Sequence, residues 1–416
     1  MKKDKLFKQI LAISAVFVAL AVPTESQAVS MYARQTGLAC ASCHFQHFPL
    51  LNEFGRAFKA GGYTLIGKEG EIKGEELSIP ETMNIGIVSK LRYQKTNGPK
   101  VAGTHTENDG RWDIPDEFNV MFGGRISENI GFFFEGATVE TPFLASFKMP
   151  FMYDVAGVKA GVIPFSTAEL GAAFGFELLN TGAVKNQRMV EKGPDISAKQ
   201  YVMDAHEARG FAFVVSDPRF FVNLTKWSPG HVEDHVSAPT ATYFRAAVTP
   251  KVGSWDLGAG LQSWSGSAET GPGNAIVPFE IKGWAVDAQA QGAIGAMPLG
   301  IYLSHATAPA SGTTGNPNFF NPGINNAKTA TSIAAELGVL PRKATLILAY
   351  RKADTGDITF NGDNALTVGV TYQIVQNMQL QLTHAKRSGS AYDAGSPNMT
   401  TGNGNQLTTL VLFGSF

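Results

Sequence analysis

The chain has 416 residues, 44% of them hydrophobic and only 17% charged, with a formal net charge of −1, 45 Gly and 2 Cys. That charge balance excludes a nucleic-acid binder, which needs a basic surplus, and two cysteines exclude a disulfide-stapled secreted fold. Ordinary apolar content excludes a bundle of membrane helices, while the charged share falls below the ~25% usual for soluble domains.

Residues 1–28 read as a secretory signal peptide. Lys2, Lys3, Lys5 and Lys8 precede an apolar run from Ile10 to Val22, and Ser26-Gln27-Ala28 supplies a small-x-small cleavage site. The run is too short to span a bilayer. Its removal leaves 30 basic and 33 acidic residues, a net of −3.

Both cysteines fall in the next segment, residues 29–78, within Cys40-Ala41-Ser42-Cys43-His44. This is C-x-x-C-H. Two thiols one helical turn apart reach the two vinyl groups of a haem, and the adjacent His44 lies under the iron as its proximal ligand. The competing reading, a redox C-x-x-C pair, lacks the thioredoxin-like βαβ pattern that accompanies such motifs. After Pro49, the residues Leu50, Leu51, Phe54 and Phe58 recur at helical spacing up to Gly61-Gly62, which predicts a short helix with one apolar stripe. That stripe is expected to pack on the porphyrin. So small a segment cannot enclose a haem alone. It needs a container.

From residue 79 to 416 the pattern has period two. Met83-Ile85-Ile87, Phe118-Val120-Phe122, Phe220-Val222-Leu224, Trp284-Val286-Ala288, Leu366-Val368-Val370 and Met378-Leu380-Leu382 alternate with small or polar residues such as Asn119, Asn223, Asp287, Thr367 and Gln381. Segments near ten residues suit tilted transmembrane strands. Sixteen are expected, at 82–95, 116–127, 129–140, 142–151, 154–165, 206–216, 218–227, 239–249, 252–264, 280–293, 297–308, 330–339, 342–353, 363–374, 377–388 and 405–416.

The connections alternate as well. Long or polar stretches at 96–115, 166–205, 228–238, 265–279, 309–329, 354–362 and 389–404 are interleaved with tight turns at Glu128, Tyr153, Asp217 and Val375-Gln376. Only the third connection, near Thr141-Pro142, departs from the rule. Long outer loops and short periplasmic turns are the layout of an outer-membrane barrel. The terminal Phe416, with Thr408, Leu410, Leu412 and Gly414 on one face, resembles the end signal of bacterial outer-membrane proteins. A secreted β-sandwich or solenoid would not need such regular loop alternation. The expected fold class is therefore all-β: a transmembrane outer-membrane barrel of about 16 strands, with the mostly helical haem segment plugging the lumen. An even strand count sends that segment in from the periplasmic side. A barrel of this size leaves a water-filled lumen, and the alternation points Lys90, Arg92, Arg125, Lys159, Arg245 and Arg351 inward with Asp287 and Glu336. One or two of these basic groups would pair with haem propionates.

Two stretches carry a family resemblance: Tyr32-Ala33-Arg34-Gln35-Thr36-Gly37-Leu38-Ala39 before Cys40, and Pro49-Leu50-Leu51-Asn52-Glu53-Phe54-Gly55-Arg56-Ala57-Phe58-Lys59-Ala60-Gly61-Gly62-Tyr63 after it. With the barrel, the chain resembles the fused monohaem cytochrome–porin family, the outer-membrane iron oxidases of iron-oxidising bacteria. The resemblance implies Fe(II) oxidation at the surface of a Gram-negative cell, with one covalent haem c passing the electron to a periplasmic c-type cytochrome. It makes the expected partners Fe(II), that cytochrome and outer-membrane lipid. Oxidising iron outside keeps insoluble Fe(III) off the cell interior. Tuning would come from the second haem ligand and the local dielectric.

Candidates for the distal ligand are Met83, Met121, Met203 and His206. Met83 falls on the lipid-facing alternation, and His47 sits awkwardly close to His44 in sequence. For Fe(II) capture, His231-Val232-Glu233-Asp234-His235 offers two imidazoles and two carboxylates from His231, Glu233, Asp234 and His235. Asp204, His206 and Glu207 form a second cluster. Two alternatives stand beside iron oxidation: a conduit for another extracellular donor (mineral, electrode or reduced sulfur compound), and a porin with a structural haem plug.

Overall fold

The structure is a computed structural model. It describes residues 31–416 apart from 68, 76–77, 101–106, 140–141, 186–187, 205–206, 232–237, 271–276, 312–314 and 324–325. The expected signal peptide lies outside the described residues.

Three short helices come first: α1 (Met31–Thr36), α2 (Cys40–Cys43) and α3 (Glu53–Ala60). A closed antiparallel barrel follows. Its first staves are β1 (Ile85–Thr96), β2 (Arg111–Ser127), β3 (Ile130–Ala137), β4 (Leu144–Lys148 and Phe151–Val155) and β5 (Val158–Thr167). After the fifth connection come β6 (Ala208–Asp217), β7 (Phe220–Ser228), β8 (Ala241–Val248 and Lys251–Val252), β9 (Trp255–Ser265), β10 (Gly283–Ile294) and β11 (Met297–Ala308). The last are β12 (Lys328–Leu340), β13 (Ala344–Asp354), β14 (Asn364–Val375), β15 (Met378–Ser388) and β16 (Gln406–Ser415). β16 pairs with β1, from Leu407↔Thr96 to Ser415↔Val88, and this closes the ring.

Each stave matches an expected strand within a few residues. β4 and β8 are interrupted at Pro150 and Pro250, where a missing N–H breaks the ladder. The neighbours β3 and β5 bond both halves of β4, so it remains one stave. One turn is displaced from its expected place. β4 runs through Tyr153 to Val155, and the chain reverses at Ala156-Gly157, whose φ values of 52 and 87 give the doubly left-handed geometry of a tight hairpin. By strand count the third connection, between Ala137 and Leu144, belongs to the long-loop end, and it remains the short one there.

The two faces invert the rule for soluble proteins. Phe211, Phe213, Leu224, Val286, Leu303, Ile333, Leu348, Leu366 and Leu382 are exposed on the outside, whereas Asn223, Gln262, Asp287, Gln289, Ser304, Glu336, Thr367, Gln381 and Thr383 are buried inside. An apolar band of this extent needs an apolar surrounding.

The expected water-filled lumen is largely occupied. The N-terminal helices fill the end with the short turns: Arg34 Nε donates to Ile85 O (3.0 Å), Tyr32 OH to Phe132 O (3.2 Å), and Glu53 pairs with Lys251 (2.7 Å). From the other end the fifth connection, 168–207, folds inward. Leu170, Ala172, Ala173, Phe174, Phe176, Leu178, Leu179, Ala183 and Val184 are all buried, and a helix, α4 (Ala198–Val202), packs against β11 and β12. Its apolar content explains the insertion, because a loop in water would leave these side chains exposed.

Candidate functional site

The C-x-x-C-H motif is built into a tight double turn. α2 places Cys40 and Cys43 on one helical turn as free, half-buried thiols, and His44 follows in extended conformation. Asn52 ties this turn to α3. It caps the helix by accepting from Gly55 N (2.9 Å), donates Nδ2–H to Ser42 O (2.9 Å), and its own N–H reaches Cys43 O (2.9 Å). Gly55 lies so close to α2 that a Cβ there would stand 2.1 Å from the Cys43 carbonyl oxygen. Replacing Gly55 with Ala is therefore expected to undock α3 from the motif. Trypsin should then cut at Arg56 and Lys59 in the folded barrel, and unchanged resistance would count against this packing.

His44 is oriented by the backbone. Its Nδ1 lies 3.2 Å from the carbonyl of Leu50, a fully buried residue. A donated Nδ1–H there fixes the tautomer and leaves the Nε2 lone pair for a metal. Burial is the main cause of a pKa lowered to about 4, against partial support from the Leu50 and Pro49 carbonyls, so the ring is neutral at ordinary pH. Burial also raises the thiols, Cys43 to about 11 with a further contribution from Cys40. A redox C-x-x-C centre has the opposite tendency.

The barrel holds this hairpin from several sides. Asn180 of the inserted segment bonds both the N–H and the C=O of Leu51 at 2.8 Å. Arg56 of α3 reaches Gln291 (3.3 Å) and Asp256 on the wall. His47 is buried, with Nε2 2.9 Å from Glu336 and Nδ1 2.8 Å from Phe48 O. Both ring nitrogens are engaged, which removes His47 as a distal ligand.

Burial alone would lower the pKa of His47, but the hydrogen bond and charge of Glu336 more than offset it, so the folded value is raised. A raised value means that the added stability is complete below the unfolded pKa of about 6.5. It is lost as pH climbs through the folded value. Trypsin resistance of the N-terminal segment is thus expected to fall as pH rises above about 6.5, and Glu336→Gln should flatten that dependence. An unchanged profile in the variant would refute the link.

Phe48 joins the motif to the far side. Its ring meets His44 edge-on (5.1 Å) and stacks on Phe413 of β16 (4.7 Å, 13°). The space beside Cys40 and His44 is about 40 Å³ and is bounded by Gln376, Asn377 and Phe413. A second cavity of about 310 Å³ has Met121, Phe48 and Phe413 at one end and Glu169, Lys192 and Glu207 toward the long loops. The donor set of two thiols and one oriented imidazole fits a covalent haem. That fit is carried by donor chemistry rather than by a preformed porphyrin-sized cavity.

The other sequence-derived candidates divide. Met83 is 69% exposed at the barrel rim, and Met203 is buried in the core at the long-loop end, against Gly283. Met121 faces inward and packs with Phe48 against Val88, Val411 and Phe413. His231 is not an outer-loop ligand but a buried pin, its Nδ1 2.7 Å from Ser166 Oγ and its Nε2 on Leu144 O. Glu233, Asp234, His235 and His206 lie outside the described residues. Among the described residues no group of three His, Cys, Asp or Glu could hold a metal ion.

The inward basic groups already have partners: Lys90 with Glu117 (2.7 Å) and Glu191 (3.2 Å), Arg92 with Asp113 and Asp116 (2.8 Å each), Arg125 with Glu71 (3.2 Å), Arg351 with Asp363 (2.9 Å). Arg245 lies between Asp287 and Glu177 of the inserted segment. Lys159 sits instead at the short-turn rim, bonded to Asp154 (2.8 Å). Pairing with haem propionates would have to displace an existing carboxylate. Asn180, Glu177 and the Glu336–His47 pair escaped the sequence reading, because a loop's polar residues carry no periodicity.

No protein-family model matches the chain, and no curated protein does. Among solved structures it is similar to a loop-deleted OmpT of Vibrio cholerae, with a TM-score of 0.49 and 11% identity over 80% of this chain and 99% of that one. It is also similar to Salmonella typhi OmpF in complex with daunomycin, with a TM-score of 0.49 and 10% identity over 83% and 100%. A third is the outer membrane channel DcaP of Acinetobacter baumannii, with a TM-score of 0.47 and 11% identity over 80% and 97%. The barrel assignment rests on the chain's own strand ladder.

Proposed function

We propose that the chain is an outer-membrane electron conduit that oxidises extracellular Fe(II) and delivers the electron to a periplasmic c-type cytochrome. The observation that carries this reading is the oriented C-x-x-C-H turn seated in the mouth of a closed barrel. Cys40 and Cys43 would hold haem c by thioether bonds, and His44 Nε2 would be the proximal ligand. Bound there, the haem would supply a one-electron site inside an insulating wall.

The Leu50 carbonyl orients His44, Asn52 and Asn180 hold its hairpin, and Met121 is the candidate second ligand. One Fe(II) loses one electron and one oxidised cytochrome gains it, so no proton relay is required. With short turns on the periplasmic side, the turn residues Gln376 and Asn377 beside Cys40 mark the exit. The larger cavity, running from the long loops to Phe48 and Phe413, supports donor entry from outside.

The test has two readouts. Alkaline pyridine spectra should give one covalent haem per chain. Anaerobic stopped-flow mixing with Fe(II) should then raise the reduced-haem bands, and no reduction on any physiological timescale sinks the iron reading. The polar inner face of a 16-stave barrel favours a second reading, solute passage. Liposome conductance that exists only after deletion of residues 29–78 would support a plug, whereas high conductance of the intact chain would favour the porin.

A further inference from the structure

The outer face of the barrel carries lysines in one sector only loosely explained by a lipid-facing wall. Lys95 on β1, Lys386 on β15 and Lys352 on β13 all point outward and are exposed, each within two residues of the long-loop end of its strand. Register places them together. Lys95 lies opposite Thr408, which lies opposite His384 on the strand of Lys386. Lys386 faces Leu366, and Leu366 faces Tyr350, two residues before Lys352. The three occupy every second strand, about 10 Å apart across the sheet.

Among the described residues none of the three forms an ion pair with a carboxylate. Elsewhere near this rim Lys282 pairs with Glu280 (2.6 Å) and Arg111 with Asp113 (2.9 Å), while Lys226 donates to the neutral Thr242 hydroxyl (2.8 Å). Asp354, two residues after Lys352 on the same strand, accepts from Gly356 N (2.8 Å) and Asn361 Nδ2 (3.1 Å). Two imidazoles join the sector through matching cross-strand bonds, His384 Nδ1 to Thr408 Oγ1 (2.9 Å) and His305 Nδ1 to Thr331 Oγ1 (2.8 Å). Below them the same face turns apolar at Tyr350, Leu348 and Leu382.

A lysine facing lipid is costly at mid-membrane and nearly free at headgroup depth. Unpaired lysines at that depth attract phosphate. We propose that this sector, β11 to β16 with β1, binds the phosphates of the outer-leaflet glycolipid, the diphosphorylated lipid anchor of lipopolysaccharide. Its acyl chains would lie on the apolar surface beneath. The proposal rests on the long-loop end facing outward, but needs neither haem nor iron.

The experiment is native mass spectrometry of the full chain in detergent, titrated with diphosphoryl lipid A. The variant K95Q/K352Q/K386Q should bind about 100-fold more weakly, from roughly 1 kcal/mol per lysine, and Lys226→Gln should bind as the parent does. Dephosphorylated lipid A should not compete. Equal binding by the triple variant, or by the dephosphorylated lipid, overturns the proposal. Equal affinity for phosphatidylglycerol overturns the assignment to the glycolipid. A Cys40→Ser/Cys43→Ser chain should bind lipid A unchanged, which separates this outcome from failure of the electron-transfer reading.

Discussion

On the proposed electron-conduit reading, a His44→Gly chain is expected to retain a covalent haem and to lose reaction with Fe(II). The proposed attachment atoms are the Cys40 and Cys43 thiols, which α2 positions without help from the imidazole. The lost group is the imidazole whose Nδ1 faces Leu50 O at 3.2 Å and whose Nε2 would hold the iron of the proposed haem. Loss of an outer-shell partner alone costs 10–100-fold in comparable metal sites, so removal of the ligand itself should cost about 100-fold or more in the rate of haem reduction. Exogenous imidazole offers the control. It can enter the space vacated by the side chain and should restore both the low-spin spectrum and part of the rate. A structural defect would not be rescued by imidazole. A rate equal to that of the parent would remove His44 from the proposed electron path.

The barrel was legible because one signal repeats sixteen times. Alternation at Phe220-Val222-Leu224 or Leu366-Val368-Val370 is set by the pleat, which puts successive side chains on opposite faces whatever the neighbours are. The single displaced turn, at Ala156-Gly157 rather than Tyr153, arose because Tyr153 and Val155 continue the outward face that a turn would have ended. The interior was less legible. Lumen contacts join residues far apart in the chain, such as Asn180 with Leu51 and Glu336 with His47. No local period reports these. One signal was available and pointed the right way: the fifth connection carries Leu170, Phe174, Phe176, Leu178 and Leu179, a composition that water does not tolerate in a loop. His231 shows the converse. An imidazole in a polar stretch suggested a metal ligand, but Ser166 and Leu144 had already claimed both its nitrogens.

Arg245→Ala should be the most destabilising single change in the lumen, and it should open the barrel. Arg245 and Glu177 are fully buried, and the guanidinium makes four bonds. Nε and Nη2 reach Glu177 at 2.9 and 3.2 Å, and Nη1 and Nη2 reach Asp287 at 2.7 and 2.9 Å. Gln262 and Thr181 complete the shell around Asp287 (2.7 and 2.9 Å). Removing the cation leaves two carboxylates buried side by side, a loss of about 3–5 kcal/mol for a broken buried pair. Because Glu177 belongs to the inserted segment and Asp287 to the wall, their repulsion acts directly between the two. The segment 168–207 should therefore leave the lumen, raising both urea sensitivity and single-channel conductance. A triple variant, Arg245→Met with Glu177→Gln and Asp287→Asn, removes all three charges at similar volume. It should recover most of the stability and keep the channel closed, since neutral replacement of a buried ionic cluster is often tolerated. If Arg245→Ala lowers stability while conductance stays at the parental level, the arginine supports the wall without latching the segment.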